Sequence, residues 1–448
     1  MFLVPHRVDQ TSARLWVAAT DVVAPPEPSS VTLLPGGMQV PLPQSGWRSV
    51  SGGGTLQPQE SRFFVQSIAV APLQPGTAYR ARANGSSCTF TTLPTDLPRS
   101  GEQPFTVLLA SCFHVDSAVN VGEALRNIVP AERPHLKFLC GDQVYLDYPA
   151  FVLGVPFDED RMAKAFIEKY RRTWTEPTAY RNLLEAGGTF FTADDHEFWN
   201  NFPNWTSLIS NTWSRGGRDR MRRVSMSLFQ DFQCDDLDHV GRARTFRVGK
   251  LSFFIADTRV HRTEGDARFM HPDDLAALDR WIQDLDGPGV LLVGQPLFHA
   301  GENWFKKRFA DRALANYDQY ADLVRSLFKT RHSILILTGD VHYPRVASCT
   351  LLANPEHPQL VEVISSPVSL VNKLVGGKVH AAPDKFPPKP INGLAQVPAR
   401  TEYPPFDKPE NHFATLHFTA SDGAVQVRIR YRNMKGASVE QPRTLQLI

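Results

Sequence analysis

The chain has no C-x-x-C pair: its five cysteines (Cys88, Cys112, Cys140, Cys234, Cys349) are odd in number and widely scattered. Neither a disulfide framework nor a structural zinc site is indicated. No stretch approaches the roughly 18 apolar residues of a membrane span. The start, Met1-Phe2-Leu3-Val4-Pro5-His6, has no basic n-region and no long apolar h-region, so it is not a secretory signal. A cytoplasmic location is expected for the chain as given, and a periplasmic or secreted one if a leader was removed. Charge of neither sign dominates, with 48 basic against 46 acidic residues and a net +2. A stable nucleic-acid complex is therefore not expected, because electrostatic binding needs a concentrated basic surface. No serine sits in a G-x-S-x-G elbow, which removes the main support for a serine hydrolase. Gly52-Gly53-Gly54 lacks the Lys-Ser/Thr that completes a phosphate-binding loop and reads as a turn.

What is present is a chain of 448 residues, long enough for a large core and a smaller module. Its 42% hydrophobic and 21% charged content is ordinary for a globular protein. The 35 prolines and 28 phenylalanines suggest many loops fixed against an aromatic-rich core. Residues 1–98 read as a β-sandwich domain, with short alternating runs around Leu15-Trp16-Val17 and Phe63–Val70 between Pro- and Gly-rich turns. The segment 73–82 resembles the turn-and-strand signature of fibronectin III-like sandwiches, and 91–98 reads as a linker. A packing module without chemistry of its own is the preferred reading. Residues 99–448 form the second domain, where apolar strands alternate with amphipathic helices. Strands are predicted at 105–111, 136–140, 189–193, 251–256, 290–293 and 334–338, and helices at 118–128, 159–186, 273–285 and 316–329. Further strands are predicted at 360–364, 413–419 and 425–431, and 381–406 is a Pro-rich loop. Short, nearly all-apolar strands imply an α/β fold whose sheet is covered on both faces.

The chemistry follows the strands. One ends in Ser111-Cys112, the next in Gly141-Asp142-Gln143-Val144-Tyr145, and the third in Asp194-Asp195-His196-Glu197. Two more end in Asp257-Thr258-Arg259 and in Gly339-Asp340-Val341-His342. In open α/β sheets, ligands bind beyond the carboxyl ends of strands. Singly each piece has a bland reading: a Gly-Asp turn, an N-cap, a buried small cysteine, an ordinary polar histidine. Together the five converge on one edge. Thiolate, imidazole, phenolate and carboxylate suit trivalent iron or a borderline transition metal, and carboxylate with amide oxygens suits a harder ion. Asp142 is the natural bridge between two ions. Two such ions hold phosphate oxygens, polarise phosphorus and lower the pKa of bridging water. His196 is placed to protonate the leaving group. Arg259 is either a bidentate grip on a phosphate oxygen or one half of a structural ion pair.

At these residues, with Asn200-Asn201, the sequence resembles the alkaline phosphatase D (PhoD-like) family of metallophosphoesterases, over roughly 105–345. The resemblance implies a calcineurin-like α/β/β/α core behind an N-terminal fibronectin III-like β-sandwich. It implies hydrolysis of phosphate monoesters or diesters by a metal-bound hydroxide at a dinuclear or mixed-metal centre. By motif match, Cys112, Asp142, Tyr145 and His342 surround iron (Fe3+). Asp142 and Asp340, with Asp195 or Asn200, serve calcium. Manganese, magnesium, cobalt and zinc are the alternatives for either ion. His196 and Arg259 are the expected catalytic residues, and Arg259 and Asn201 the expected substrate contacts. His299 is a further histidine near the last motif, more readily read as structural.

The partner expected is a small-molecule or polymer phosphate ester, and the oligomeric state is left open. The alternative is a non-catalytic polymer-binding protein whose second domain is a metal-stabilised scaffold; His196 and Arg259 beside the ligands argue against it. The run Arg215, Arg218, Arg220, Arg222, Arg223 reads as a solvated loop-helix face rather than an anion funnel. Aromatics in the loops at 147–158, 200–217 and 376–406 (Tyr148, Phe151, Phe157, Trp199, Phe202, Trp205, Trp213, Phe386, Tyr403, Phe406) suit a walled cleft or ordinary packing equally.

Overall fold

The structure, a computed structural model, describes residues 1–117, 119–148, 155–301, 311–351, 359–369, 380–403 and 410–448. Ala118, Phe151, Phe406 and parts of the loops at 147–158 and 376–406 lie outside the described residues. The first eight strands are β1 (Phe2–Val8), β2 (Ala13–Thr20), β3 (Ser29–Leu34), β4 (Met38–Leu42), β5 (Arg48–Ser49), β6 (Phe63–Val70), β7 (Ala78–Ala83) and β8 (Ser86–Thr91). They build two four-stranded sheets, in the orders β1-β2-β6-β5 and β4-β3-β7-β8. On β7 the alternation is clean: Tyr79, Ala81 and Ala83 are buried, Ala78, Arg80 and Arg82 exposed. One face of that sheet therefore packs inward and the other faces out. The first sheet is covered on both faces. Leu15 and Val17 enter the sandwich core, while Trp16 between them packs on Phe63 and Phe232 and donates its indole N–H to the Asp231 carbonyl at 2.7 Å. The segment read as a linker is also tied down: the Leu93 N–H bonds to the Asp9 carbonyl, and the Thr95 and Pro98 carbonyls accept from Gly249 and Ala420.

Helices α1 (Pro58–Ser61), α2 (Val121–Arg126), α3 (Glu159–Thr175), α4 (Arg181–Leu184), α5 (Arg215–Gln233), α6 (Pro272–Gln283) and α7 (Gln319–Leu327) accompany the remaining strands. These are β9 (Phe105–Ala110), β10 (Leu136–Cys140), β11 (Gly188–Thr192), β12 (Arg244–Val248), β13 (Leu251–Ile255), β14 (Gly289–Leu292) and β15 (Ile334–Thr338). They continue with β16 (Arg345–Thr350), β17 (Gln359–Ile364), β18 (Lys385–Phe386), β19 (Val397–Tyr403), β20 (His412–Ser421), β21 (Ala424–Asn433) and β22 (Arg443–Leu447). Two sheets result, β11-β10-β9-β20-β21-β22 and β12-β13-β14-β15-β17-β16-β19-β18. Within each, β9 to β11 and β13 to β15 run parallel, and all of these but β14 carry a motif.

The strand sequences explain the layering. Phe105, Val107 and Leu109 of β9 face the second sheet, where Phe105 and Phe138 meet the Phe253 ring at 6.3 and 6.0 Å. The intervening Leu108 and Ala110 face the layer of α2, α3 and α5. In β13 to β15, Phe254, Leu291, Ile334 and Ile336 face α6 and α7. Both faces of each strand are buried, so the strands read as apolar runs rather than alternating ones. Two helical readings change. The single helix expected over 159–186 is two, α3 and α4, because Pro177 can supply no N–H and pushes Glu176 to an extended backbone (φ −74°, ψ 131°). The arginine-rich run is a full helix, α5, capped by the Ser214 hydroxyl and anchored through Met221, Val224, Leu228, Phe229 and Phe232. Arg218 and Arg223 on its outer side pair with Glu264 and Glu159. No helix among the described residues is long and apolar enough to cross a membrane.

Candidate metal centre

The loops that leave the parallel strands are bent in an unusual way. Cys112 (φ 60°), Asp142 (57°), Asn201 (69°), Asp340 (67°) and His342 (57°) all hold left-handed backbone. Residues with a Cβ seldom adopt it, at a cost on the order of 1–3 kcal/mol each. Gly141 (φ 87°) precedes Asp142 in a place where a Cβ would lie 2.4 Å from the Asp194 Cβ, so only glycine lets the two loops approach. The buried Glu197 carboxylate holds them together, accepting N–H bonds from Asp142 (2.9 Å), Gln143 (2.6 Å) and Asp194 (2.8 Å). Ser111 joins the two sheets, its hydroxyl accepting the Asp340 N–H at 3.3 Å.

This backbone brings three donor groups together, each with its ligand atoms within 4.8 Å of one another: Cys112, Asp142 and His342; Asp142, Asp195 and His196; Asp194, Asp195, Asp311 and Asp340. Asp142 belongs to the first two groups and Asp195 to the last two. Tyr145 joins the first, its hydroxyl 3.2 Å from Asp142 Oδ2, and Cys112 Sγ is 3.5 Å from the same oxygen. The Asn200 and Asn201 amide oxygens and Asp194 Oδ2 are buried without a hydrogen-bond partner among the described residues. Buried oxygens in that state can accept from water or bind an ion. His299 is in none of the three groups.

The protein atoms alone leave the centre electrostatically unbalanced. Burial drives the Asp142 carboxyl well above its usual range; His196 opposes this, while Asp195, Glu197 and Asp340 add to it. Asp340 is likewise pushed up by burial and then by Asp194, Asp311 and Asp195. The Cys112 thiol rises through burial and the charges of Asp142 and Asp340. Burial opposes the charge on His196, but Asp147, Asp195 and Asp142 outweigh it and hold the imidazole well above its ordinary value. A cation among these donors reverses that logic, favouring every carboxylate and the thiolate. Cys112, Asp142, Tyr145 and His342 form a mixed donor set that could hold a transition metal, and the carboxylate group an all-oxygen set that could hold a harder ion.

Around this lies a second layer. His196 Nδ1 is 2.7 Å from Asp147 Oδ1, and Asp147 Oδ2 accepts the Asn200 N–H at 2.7 Å. The Asn201 N–H bonds to Asp195 Oδ2 at 2.9 Å. Lys169 of α3 binds the Tyr145, Leu146 and Tyr148 carbonyls and fixes the loop carrying Tyr145. One expectation is corrected. Arg259, offered as a grip on phosphate, is fully buried and its guanidinium is bound by Asp194, Asp311 and the Phe202 carbonyl. It organises carboxylates instead. Sequence reading passed over Asp194, although it stands in the quoted motif, and Gln295, which follows the strand predicted at 290–293, and missed Asp311 altogether. The Gln295 amide donates to Asp311 and, at 3.0 Å, to Asp340 Oδ2. Asp311 follows no predicted strand and carries no local signal.

No protein-family model matches the chain, and no curated protein does. Solved structures do. The structure of PhoD superposes with a TM-score of 0.60 at 13% identity, covering 99% of this chain and 91% of that one. Purple acid phosphatase PPD1 from yellow lupin (Lupinus luteus) seeds gives 0.57 at 13% identity, covering 100% of this chain and 74% of that one. At such identity the likeness is one of fold, and the fold is the expected one: a calcineurin-like α/β/β/α core with β-sandwich sheets at its N-terminus.

Proposed function

We propose that this protein hydrolyses phosphate esters at a centre of two cations. One would be held by Cys112, Asp142, Tyr145 and His342, the other by Asp195 and Asp340 with Asn200, and Asp142 would reach both. The observation that carries the reading is the overlap of the three donor groups through Asp142 and Asp195, a continuous row from thiol to carboxylates. Iron suits the mixed end and calcium the all-oxygen end; manganese, magnesium, cobalt and zinc are the alternatives. Bound there, two cations supply Lewis acidity at the phosphoryl oxygens and a lower pKa for the attacking water. The chain's own residues do the rest. His196, steadied by Asp147 and by the Tyr145 ring 4.2 Å away, is positioned to give a proton to the leaving oxygen. Asn201 is offered as the substrate contact, its backbone N–H on Asp195 Oδ2 placing it beside the carboxylates. Arg259 holds Asp194 and Asp311 and does not touch phosphate. The substrate is a small-molecule or polymer phosphate ester.

Nitrophenol release from nitrophenyl phosphate and from the bis-ester tests this, using protein reconstituted with iron and calcium and Asp142→Asn as control. Turnover of either ester that disappears in the variant supports the reading, and the ratio of the two rates assigns the ester class. Metal-loaded protein silent on both would overturn it.

A further inference from the structure

Between the outer face of the β4-β3-β7-β8 sheet and helices α2 and α4 runs a groove of 630 Å³. It is lined by four arginines, Arg80, Arg82, Arg126 and Arg133, and by no aspartate or glutamate. In a chain whose charges nearly cancel, that is a local excess. It is also unneutralised: none of the four has a carboxylate partner among the described residues, whereas Arg218 and Arg223 of α5 and Arg259 of the candidate metal centre are paired. Arg80 and Arg82 are two apart on β7, so their side chains leave the same face about 7 Å from each other. The Arg133 guanidinium is pinned, donating Nε to the Ile128 carbonyl (3.2 Å) and Nη2 to the Arg126 carbonyl (3.1 Å). Apolar surface completes the groove, including Leu34, one of the more exposed large hydrophobics of the structure.

We infer that this groove binds a soluble organic phosphate, a small molecule with a phosphate group on an apolar body. The volume lies in the range of small-ligand pockets. Arginine's planar fork matches phosphate oxygens bidentately, and Leu34 and Leu125 offer contact for the apolar body. The groove borders Pro134, Ala186 and Gly187, just before β10 and β11 begin, whereas Asp142 and Asp195 follow where those strands end. A strand's length, on the order of 17 Å, therefore separates it from the metal centre. It is a second site, independent of the hydrolytic reading.

Phenylphosphonate, whose carbon–phosphorus bond a phosphoesterase does not cleave, is the probe. Its binding is titrated by calorimetry into wild type, Asp142→Asn and Arg80→Ala/Arg82→Ala, with circular dichroism to confirm folding. Affinity retained in Asp142→Asn and weakened at least tenfold in the arginine variant, with nitrophenyl ester turnover of that variant unchanged, supports the inference. Affinity untouched by the arginine changes, or benzyl alcohol binding as well as the phosphonate, overturns it. So does arginine-dependent sedimentation with phosphatidylglycerol vesicles in the absence of phosphonate binding, which would make the groove a membrane contact instead.

Discussion

Arg345 of β16 and Glu362 of β17 are as deeply buried as any residue of the candidate metal centre, at 1% and 0% exposed, and their charges balance. Glu362 Oε1 accepts the Leu297 and Phe298 N–H groups at 2.6 and 2.9 Å, and Oε2 takes Arg345 Nη2 at 2.7 Å. The same nitrogen reaches the Phe298 carbonyl. One cation meets one anion. At the candidate metal centre Asp142, Asp194, Asp195, Asp311 and Asp340 share three cations, Arg259, Arg262 and His196, and burial with mutual repulsion lifts Asp142, Asp194, Asp195 and Asp340 above their usual range. Buried charge alone does not mark a site, since structural pairs exist. Imbalance does, because the surplus has to be met by something the chain does not contain.

The comparison makes the two regions answer mutation with opposite signs. Asp142→Asn should lower turnover by about three orders of magnitude or more, the scale of losing metal-ion catalysis. It should also leave chelated protein as stable as wild type or more so, since a repelling charge is gone. Chelation should lower the Tm of wild type and not of the variant; a chelated Asp142→Asn protein melting well below chelated wild type breaks the contrast. Arg345→Met should do the reverse, costing about 3–5 kcal/mol by urea titration because Glu362 is stranded, while the folded fraction keeps its turnover within a factor of two. Adding Glu362→Gln should recover most of that loss.

His6 sharpens the picture from a third direction, a titratable group buried neutral between Trp16 and Phe191. Burial lowers its pKa to about 4. The unfolded chain then binds more protons between about pH 6.5 and 4, so its contribution is complete above pH 6.5 and is lost as pH falls toward 4. His6→Phe should remove up to about 3 kcal/mol of that acid sensitivity, measured as the pH slope of unfolding free energy; an unchanged slope counts against neutral burial. The smallest effect is expected at Glu197, which touches no substrate. Glu197→Gln exchanges one acceptor oxygen for a donor beneath Asp142 and Asp194, and metal affinity should fall about 10–100-fold with the fold intact. Affinity within a factor of two of wild type would show that the three N–H bonds do not position the ligands.

Much of this was legible because it is local. The apolar strands and the polar residues that end them are adjacent in sequence, so β9, β10, β11, β13 and β15 and their motifs could be read directly. The boundary at Pro177 was legible too and was overlooked, since proline and its predecessor both resist helix. The five left-handed ligand-loop residues left no compositional trace, because they are Cys, Asp, Asn and His rather than glycine. Asp311 could not be found at all, and Gln295, two residues past the strand predicted at 290–293, was passed over. Neither stands in one of the five motifs, and their value comes from meeting Arg259, Arg262 and Asp340 across 33 to 52 residues of chain.

By itself the sequence determined the apolar strands that carry the motifs and which polar residues stand at their ends. These follow from periodicity and from neighbours a few residues apart. β18 (Lys385–Phe386) and β19 (Val397–Tyr403), inside the segment 381–406 expected to be a Pro-rich loop, were set by pairing. Only the tertiary structure decided that Arg259 serves carboxylates, that Asp142 and Asp195 link three donor groups into one row, and that Arg80 and Arg82 meet Arg126 and Arg133 in a groove. Those outcomes depend on which distant segments share a dehydrated space, where an unmatched charge costs most. Chain order carries no direct record of that proximity.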